Sequence, residues 1–126
     1  MTILLIEDDT NDALLLQRAL RIYGLCNPIV TYSYPEAALE YLQDNYESTV
    51  LILLDLAFPG HMDGYEFLHR LHGTPARYAP VIILSGSEPY SPRAYQHGAL
   101  DFLTKPVSAE KLITALHKIG LGWTIG

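Results

Sequence analysis

The chain has 126 residues, and 49% of them are apolar, which is enough to bury the core of one domain of ordinary size. Its formal net charge is −6, from 8 Lys and Arg residues against 14 Asp and Glu residues. A nucleic-acid surface needs clustered positive side chains to neutralise phosphates, so this balance argues against nucleic acid as a partner. The first apolar run, residues 3–6, stops at Glu7 and is too short for a secretion signal or a membrane span. We therefore expect a cytoplasmic protein with no membrane partner.

No repeat, low-complexity tract or linker divides the sequence, so residues 1–126 are predicted to form a single domain. Residues 120–126 are expected to form a tail that either docks on the last helix or frays. Cys26 is the sole cysteine and cannot form an internal disulfide, which fits a reducing compartment. We expect its thiol to pack as a small apolar side chain.

Short apolar runs alternate with amphipathic segments along the chain. Continuous apolar runs are typical of strands that are buried on both faces of a parallel sheet. The run at residues 28–32 is weaker than the others and is predicted to be an edge strand. In chain order, the predicted strands are residues 3–6, 28–32, 50–54, 81–84 and 99–104.

Helical spacing of apolar residues follows each predicted strand, as in Ala13, Leu16 and Leu20. Capping signals mark the later helix starts. They are Ser33 with Glu36, Asp63 with Gly64, Ser91 with Pro92, and Ser108. Five strand–helix units in succession predict parallel strands with right-handed crossovers, which is a doubly wound α/β fold. Ligands bind such sheets at the carboxyl ends of the strands.

Polar side chains stand where the apolar runs end: Glu7 and Asp8 after the first, Asp55 after the third, Ser85 after the fourth, and Lys105 after the fifth. Parallel strands bring all five to one rim of the sheet. Like charges at ~4 Å repel by several kcal/mol at an effective dielectric near ~20, so this cluster must shift its pKa values or recruit a cation. A hard divalent ion, Mg²⁺ in particular, fits the oxygen ligands.

A carboxylate beside Mg²⁺ and a lysine can attack a phosphoryl group, because the two cations absorb charge on the phosphoryl oxygens. Ser85 can donate a hydrogen bond to the new phosphate. Each group also has a purely structural interpretation: Glu7 and Asp8 favour a helix N-terminus, Ser85 suits a helix cap, and Lys105 suits a strand exit. Their joint order, each just past a buried strand, favours the functional interpretation.

Four motifs together resemble the receiver domain of two-component response regulators. They are residues 5–9 (LIEDD), 53–56 (LLDL) with Pro59 and the pair Asp63 and Gly64, 84–86 (LSG), and 98–106 (GALDFLTKP). The resemblance covers nearly the whole chain. It implies a flavodoxin-like fold, a doubly wound five-stranded parallel sheet, and the strand order 2-1-3-4-5 is taken from the resemblance alone.

The resemblance also implies residue roles at the rim. Asp55 matches the phosphoacceptor, and Lys105 matches the lysine that pairs with the phosphoryl group, with a cis peptide bond following it. Glu7 and Asp8 match the acidic pair that holds Mg²⁺, with Asp8 favoured as the direct ligand. The backbone carbonyl of Ala57 would complete the protein's share of the metal ligands.

Signalling roles follow from the same resemblance. Ser85 matches the switch hydroxyl, and Phe102 matches the switch aromatic, which turns inward when the hydroxyl moves toward the phosphate. The implied donor is a phosphohistidine on a sensor histidine kinase or a histidine phosphotransfer protein. The implied output is contact with a downstream protein, and a homodimer is a further option. Such domains catalyse their own phosphorylation and dephosphorylation without being turnover enzymes.

The sequence departs from the common receiver pattern in three places. The segment 59–64 holds one extra residue, which is expected to lengthen a loop outside the pocket. The segment 85–105 is about two residues short, which places the usual output surface around the fourth helix in doubt. Ala57 and Ser87 are both small at positions that influence dephosphorylation, so the lifetime of the phosphoryl group is not fixed by the sequence.

Three other functions compete with this one. A receiver-like interaction module that takes no phosphate is the leading alternative, although the complete set of rim residues argues against it. A hydrolase with an aspartyl-phosphate intermediate usually has a second aspartate two residues after the nucleophile, where this chain has Ala57. A flavin carrier is disfavoured because no Gly-rich or Ser/Thr-rich phosphate loop follows the first strand.

Overall fold

A computed structural model describes residues 1–86 and 93–118 of the chain. Five parallel strands form one sheet in the order β2-β1-β3-β4-β5, which confirms the predicted doubly wound, flavodoxin-like fold. The elements in chain order are β1 (Thr2–Ile6), α1 (Thr10–Tyr23), β2 (Ile29–Tyr32), α2 (Pro35–Asn45), β3 (Thr49–Asp55), α3 (Gly64–Leu71), a 3₁₀ helix (Pro75–Tyr78), β4 (Val81–Ser85), α4 (Arg93–Gln96), β5 (Asp101–Thr104) and α5 (Ala109–His117).

The sheet separates two apolar cores, because successive side chains of a strand point to opposite faces. Ile3 and Leu5 of β1 pack into the core that α1 and α5 cover. Leu4 and Ile6 pack into the core that α2 and α3 cover. Both faces of the inner strands are therefore buried, which is why their sequences are continuous apolar runs rather than alternating ones.

The strand positions follow the predictions closely. β3 lies in the middle of the sheet and is buried along its whole length, whereas β2 is an edge strand with half-buried and exposed residues. β5 begins at Asp101, two residues later than predicted. The backbone N–H of Leu100 already donates to the carbonyl of Val81 at 2.8 Å, but regular pairing with β4 starts only at Asp101.

Two predicted helix caps are confirmed and one is wrong. The side chain of Asp63 accepts from the backbone N–H of Glu66 at 2.9 Å, and Ser108 caps α5 in the same way. The capping box at Ser33 does not form, because α2 starts at Pro35 with Tyr34 as the N-cap residue and no side-chain cap bond. Proline at the first helical position has no N–H, which reduces the need for a cap.

Several predictions concern positions outside the sheet. Cys26 is exposed, so the expectation that its thiol is a buried apolar filler is wrong; the preceding Leu25 occupies the buried position instead. The 3₁₀ helix was not predicted. Ser87, the cap at Ser91 and Pro92, and the tail at 120–126 lie outside the described residues. Within residues 1–86 and 93–118, none of the helices has the length and apolar character that crossing a membrane requires.

Candidate functional site

Three carboxylates meet at the carboxyl ends of β1 and β3. The parallel register pairs Ile6 with Leu54, so Glu7 and Asp55 extend the two strands side by side. One oxygen each from Glu7, Asp8 and Asp55 lie within 4.8 Å of one another. Glu7 and Asp55 are buried, whereas Asp8 is exposed to solvent. The predicted acidic cluster therefore forms, and its oxygen atoms could hold a metal ion.

Backbone hydrogen bonds orient the two buried carboxylates. The N–H of Asp9 donates to Glu7 Oε1 at 3.1 Å, and the N–H of Leu56 donates to Asp55 Oδ1 at 2.8 Å. Each bond occupies one oxygen of its carboxylate. The second oxygen of each, Glu7 Oε2 and Asp55 Oδ2, faces the side chain of Lys105.

Lys105 supplies the positive charge at this rim. Its Nζ donates to Glu7 Oε2 and, at 3.0 Å, to Asp12 Oδ2, and it lies 3.4 Å from Asp55 Oδ2. Its backbone N–H donates to the carbonyl of Ser85 at 2.9 Å, which ties the residue to the end of β4. The Lys105-Pro106 peptide bond is cis, as the resemblance implied. Lys105 thus stands where the sequence predicted it.

Burial and neighbouring charge shift the protonation of this group. The pKa of Glu7 is raised to about 7, mainly by burial. The hydrogen bond from Lys105 opposes this rise, and the charge of Asp55 adds to it. Burial lowers the pKa of Lys105, but its hydrogen bonds to Glu7 and Asp12 and the charge of Asp55 outweigh that effect and raise the pKa above its ordinary value. The ammonium therefore stays charged at neutral pH, whereas Glu7 takes up a proton more readily than an ordinary carboxylate does.

The other residues predicted for the site lie on the same strands. Ser85 ends β4, is 1% exposed and is paired in register with Thr104 of β5. Phe102 lies two residues back from that rim, opposite Ile83, and its side chain is buried in the core under α2 and α3. Ala57 is exposed in the loop that follows β3. The site thus gathers the acids and Lys105 at one point, with Ser85 beside them and Phe102 deeper in the fold.

Sequence reasoning missed two features of the site. Asp12, in the first turn of α1, contacts Lys105, although the sequence motifs gave it no role. Gly64 was noted only with Asp63, as a helix-start signal and as part of the receiver motif, yet a Cβ there would lie 2.8 Å from the carbonyl oxygen of Asp55. The sequence signal that could have pointed to Asp12 is its position in the first turn of the helix that follows Glu7 and Asp8.

The loop from β3 to α3 holds the extra residue of segment 59–64. Gly60 adopts a φ of 81°, a left-handed conformation that favours glycine, and the N–H of His61 donates to the carbonyl of Phe58 at 2.9 Å. The ring of His61 stacks on Tyr34 with centroids 3.8 Å apart, and its Nδ1 lies 2.9 Å from Glu36 Oε2. The lengthened loop is therefore fastened to the start of α2, away from the carboxylates.

Comparison with known proteins agrees with this arrangement. The family described as the response regulator receiver domain matches residues 3–117. The chain belongs to this family. Receiver domains of two-component systems interact with histidine kinases, and the acidic cluster of this receiver domain stands at the rim that its sequence motifs predicted.

Individual relatives place this receiver domain among diverse regulators. It is 34% identical over 131 residues to the probable methanogenesis regulatory protein FilR2 of Methanothrix harundinacea, an alignment that covers 96% of this chain and 84% of that protein. It is 35% identical over 96 residues to the cyclic di-GMP phosphodiesterase response regulator RpfG of Xanthomonas campestris pv. campestris, covering 74% of this chain. That alignment takes in only 23% of RpfG, so the chain corresponds to a small part of the longer relative. The solved bacteriophytochrome response regulator RtBRR superposes with a TM-score of 0.83 at 29% identity, covering 99% of this chain and 81% of that one.

Proposed function

We propose that this receiver domain is a phosphorylation-dependent switch in which Asp55 accepts a phosphoryl group from a phosphohistidine, with Mg²⁺ bound beside it. One observation carries the proposal: the oxygens of Glu7, Asp8 and Asp55 converge within 4.8 Å, and the ammonium of Lys105 lies 3.4 Å from Asp55 Oδ2. A nucleophilic carboxylate, a cation site and a second positive charge are the parts that aspartyl phosphorylation requires.

The donor set suits Mg²⁺, which prefers hard oxygen ligands and keeps several waters. An octahedral ion with bonds of ~2.1 Å places its protein ligands no more than about 4.2 Å apart, so the cluster needs only a small contraction to bind it. Asp8 is exposed and can turn, whereas both oxygens of Glu7 already accept hydrogen bonds. We therefore assign Asp8 and Asp55 as direct ligands and Glu7 as their buried anionic support, and the resemblance to receiver domains adds the backbone carbonyl of Ala57 as a third ligand.

In the proposed reaction, an oxygen of Asp55 forms a bond to phosphorus as the phosphorus–nitrogen bond of the phosphohistidine breaks. The electron pair of that bond stays with the departing imidazole nitrogen. Bound Mg²⁺ would supply charge neutralisation for the phosphoryl oxygens. Lys105 is placed to balance one of those oxygens, since its Nζ already lies near Asp55. The hydroxyl of Ser85, at the end of the next strand, would donate a hydrogen bond to the phosphoryl group.

The signal would travel from the phosphoryl group through Ser85 to Phe102. Ser85 is buried at the end of β4, and Phe102 is on the neighbouring strand β5. Movement of the hydroxyl toward the phosphoryl group would change the packing around Phe102 and shift the balance between two surfaces. A sensor histidine kinase or a histidine phosphotransfer protein would supply the phosphoryl group, and a downstream protein would recognise the altered surface.

Labelling with acetyl phosphate tests the proposal. Intact mass spectrometry should show a phosphoryl adduct on the wild-type protein in the presence of Mg²⁺, and a much smaller adduct when EDTA removes the metal. Asp55→Asn should abolish the adduct. Asp44→Asn is the matched control, because Asp44 is an exposed acid on α2 outside the site, and it should label normally.

Undiminished labelling of Asp55→Asn would show that another group is the acceptor and would overturn the assignment. If the wild-type protein takes no phosphoryl group, and beryllofluoride with Mg²⁺ leaves the amide spectra near Ser85 and Phe102 unchanged, the chain is instead a receiver-like interaction module.

A further inference from the structure

Asp12 is a fourth carboxylate that reaches the rim from α1. The side chain of Asp9 accepts from the backbone N–H of Asp12 at 3.0 Å, which fixes the start of the helix. The carboxylate of Asp12 points toward Lys105 instead, and its Oδ2 accepts a hydrogen bond from Lys105 Nζ at 3.0 Å. This contact joins α1 to the loop after β5, across 93 positions of sequence.

The Lys105 ammonium has three protons to distribute among three carboxylates. It donates to Glu7 and Asp12, whereas its 3.4 Å separation from Asp55 Oδ2 is longer than an ordinary N–H···O bond. One proton therefore remains for a phosphoryl oxygen, but the bond to Asp12 holds the ammonium on the α1 side of the pocket. Lys105 can move closer to a phosphoryl group on Asp55 only if one of its present contacts lengthens or breaks.

The burial of the two partners decides which contact gives way. The side chain of Glu7 is 1% exposed, so losing Lys105 would leave a buried carboxylate without its cation. The side chain of Asp12 is 38% exposed, so water can replace the ammonium at small cost. Asp12 is therefore the partner that Lys105 can release most easily.

Resting on the function proposed above, we infer that Asp12 is a positioning residue that competes with the phosphoryl group for Lys105. In the unphosphorylated protein Asp12 holds the ammonium to the α1 side of the pocket. When a phosphoryl group forms on Asp55, Lys105 exchanges Asp12 for a phosphoryl oxygen. The contact sets how strongly the phosphorylated form is favoured.

Binding of beryllofluoride at saturating Mg²⁺ measures this competition, because the anion occupies the place of a phosphoryl group. Asp12→Asn should tighten beryllofluoride binding roughly two- to fivefold, the range expected for removal of a partly exposed ion pair. Glu110→Gln is the matched control, because Glu110 is an exposed acid in the first turn of α5. The substitution removes one negative charge, as Asp12→Asn does, but leaves the contacts of Lys105 unchanged. It should bind the anion as the wild-type protein does.

Asp12→Glu separates competition from a structural role of the residue. Glutamate keeps the charge and can still reach Lys105, so this variant should bind beryllofluoride with nearly wild-type affinity. Amide spectra of the three variants, recorded without ligand, show that each is folded. Support for the inference requires tightening in Asp12→Asn together with wild-type affinity in the other two.

Unchanged or weaker binding by Asp12→Asn overturns the inference while leaving the proposed function intact. Equal tightening by Asp12→Asn and Glu110→Gln also overturns it, since general charge and not the Lys105 contact would be responsible. Absence of beryllofluoride binding by the wild-type protein at saturating Mg²⁺ overturns the proposed function, and the inference with it.

Discussion

Gly64 is the position where a single methyl group should disturb both the fold and the site. It is the first residue of α3, is buried, and donates its backbone N–H to the carbonyl of Leu56 at 2.9 Å. A Cβ at this position would lie 2.8 Å from the carbonyl oxygen of Asp55 and 3.0 Å from Leu56 Cα. The side chain of Leu56 also lies 2.8 Å away, at its Cδ2, and could turn aside, but the two backbone contacts with the segment that carries the proposed acceptor could not be relieved in that way.

The expected cost of Gly64→Ala follows from these distances. Ordinary van der Waals contact begins at 3.4 Å, so α3 and the end of β3 must separate by about 0.6 Å. Forcing an extra methyl group into a packed site typically costs ~1–3 kcal/mol. The reduced freedom of the unfolded chain returns about 0.4–1 kcal/mol, so we expect a net loss of about 1–2 kcal/mol in the free energy of unfolding. Since a shift of ~1 Å in reacting groups can slow a reaction ~100-fold, labelling of Asp55 should slow by about an order of magnitude.

Urea unfolding and the rate of acetyl phosphate labelling measure the two effects. Gly73→Ala is the control, because a Cβ there would meet only the carbonyl of Arg70, at an ordinary 3.5 Å. We expect that variant to match or slightly exceed the wild-type stability and to label at the wild-type rate. A Gly64→Ala protein with wild-type stability and rate would refute the reasoning, because the close approach would then carry no consequence.

Two further predictions concern elements beside the site. Ser108→Ala should lower the free energy of unfolding by ~1 kcal/mol, since the N–H of Lys111 loses its cap acceptor; urea unfolding should show the loss, and Ser108→Thr should restore most of it. Burial raises the pKa of Asp101, but hydrogen bonds from Lys118, the N–H of Phe102 and the hydroxyl of Tyr95 outweigh burial and lower the pKa overall. The ionised carboxylate therefore stabilises the fold above its unfolded pKa of ~3.9, and this stabilisation is lost as pH falls through the folded pKa. The stability difference between wild type and Asp101→Asn should therefore shrink when urea midpoints are compared from neutral pH down to below about pH 4, and a constant difference would contradict this linkage.

The sheet was predictable because burial on both faces leaves a strong mark on the sequence. Residues 50–54 and 81–84 are continuous apolar runs, and the structure places them in adjacent central strands. Strand order came from the family resemblance, since the alternation of elements alone does not select one order of parallel strands. The weak run at 28–32 was rightly placed at an edge, where one side of a strand lacks a partner.

Local signals were less reliable where several solutions have similar energy. Ser33 and Glu36 have the spacing of a capping box, yet α2 starts one residue later, because proline at its first position needs no cap there. The segment around Cys26 connects α1 to β2, and its single buried apolar position is taken by Leu25 rather than by the thiol. Such choices depend on tertiary packing that spacing in the sequence does not record.

The rim of the site was predictable for a simple geometric reason. Each predicted group directly follows a strand, and parallel strands end at one edge, so position in the sequence becomes position in space. Asp12 lies outside that rule. It reaches the site from the side of a helix, through a contact with Lys105 that is 93 positions away in sequence, and only the position of α1 beside the loop that follows β5 brings the two together.

Charge at the rim connects the stability of the fold to the proposed chemistry. Glu7, Asp12 and Asp55 contact the Lys105 ammonium, and Asp8 lies beside Glu7 and Asp55, so four acids share one positive charge at this edge. Burial and the charge of Asp55 raise the pKa of Glu7 to about 7, so ionisation of this acid is less favourable than it is in water. A phosphoryl group would bring about 1.5 to 2 negative charges to the same place. A divalent cation bound at this edge would offset the added negative charge, so we expect the proposed reaction to depend on the cation.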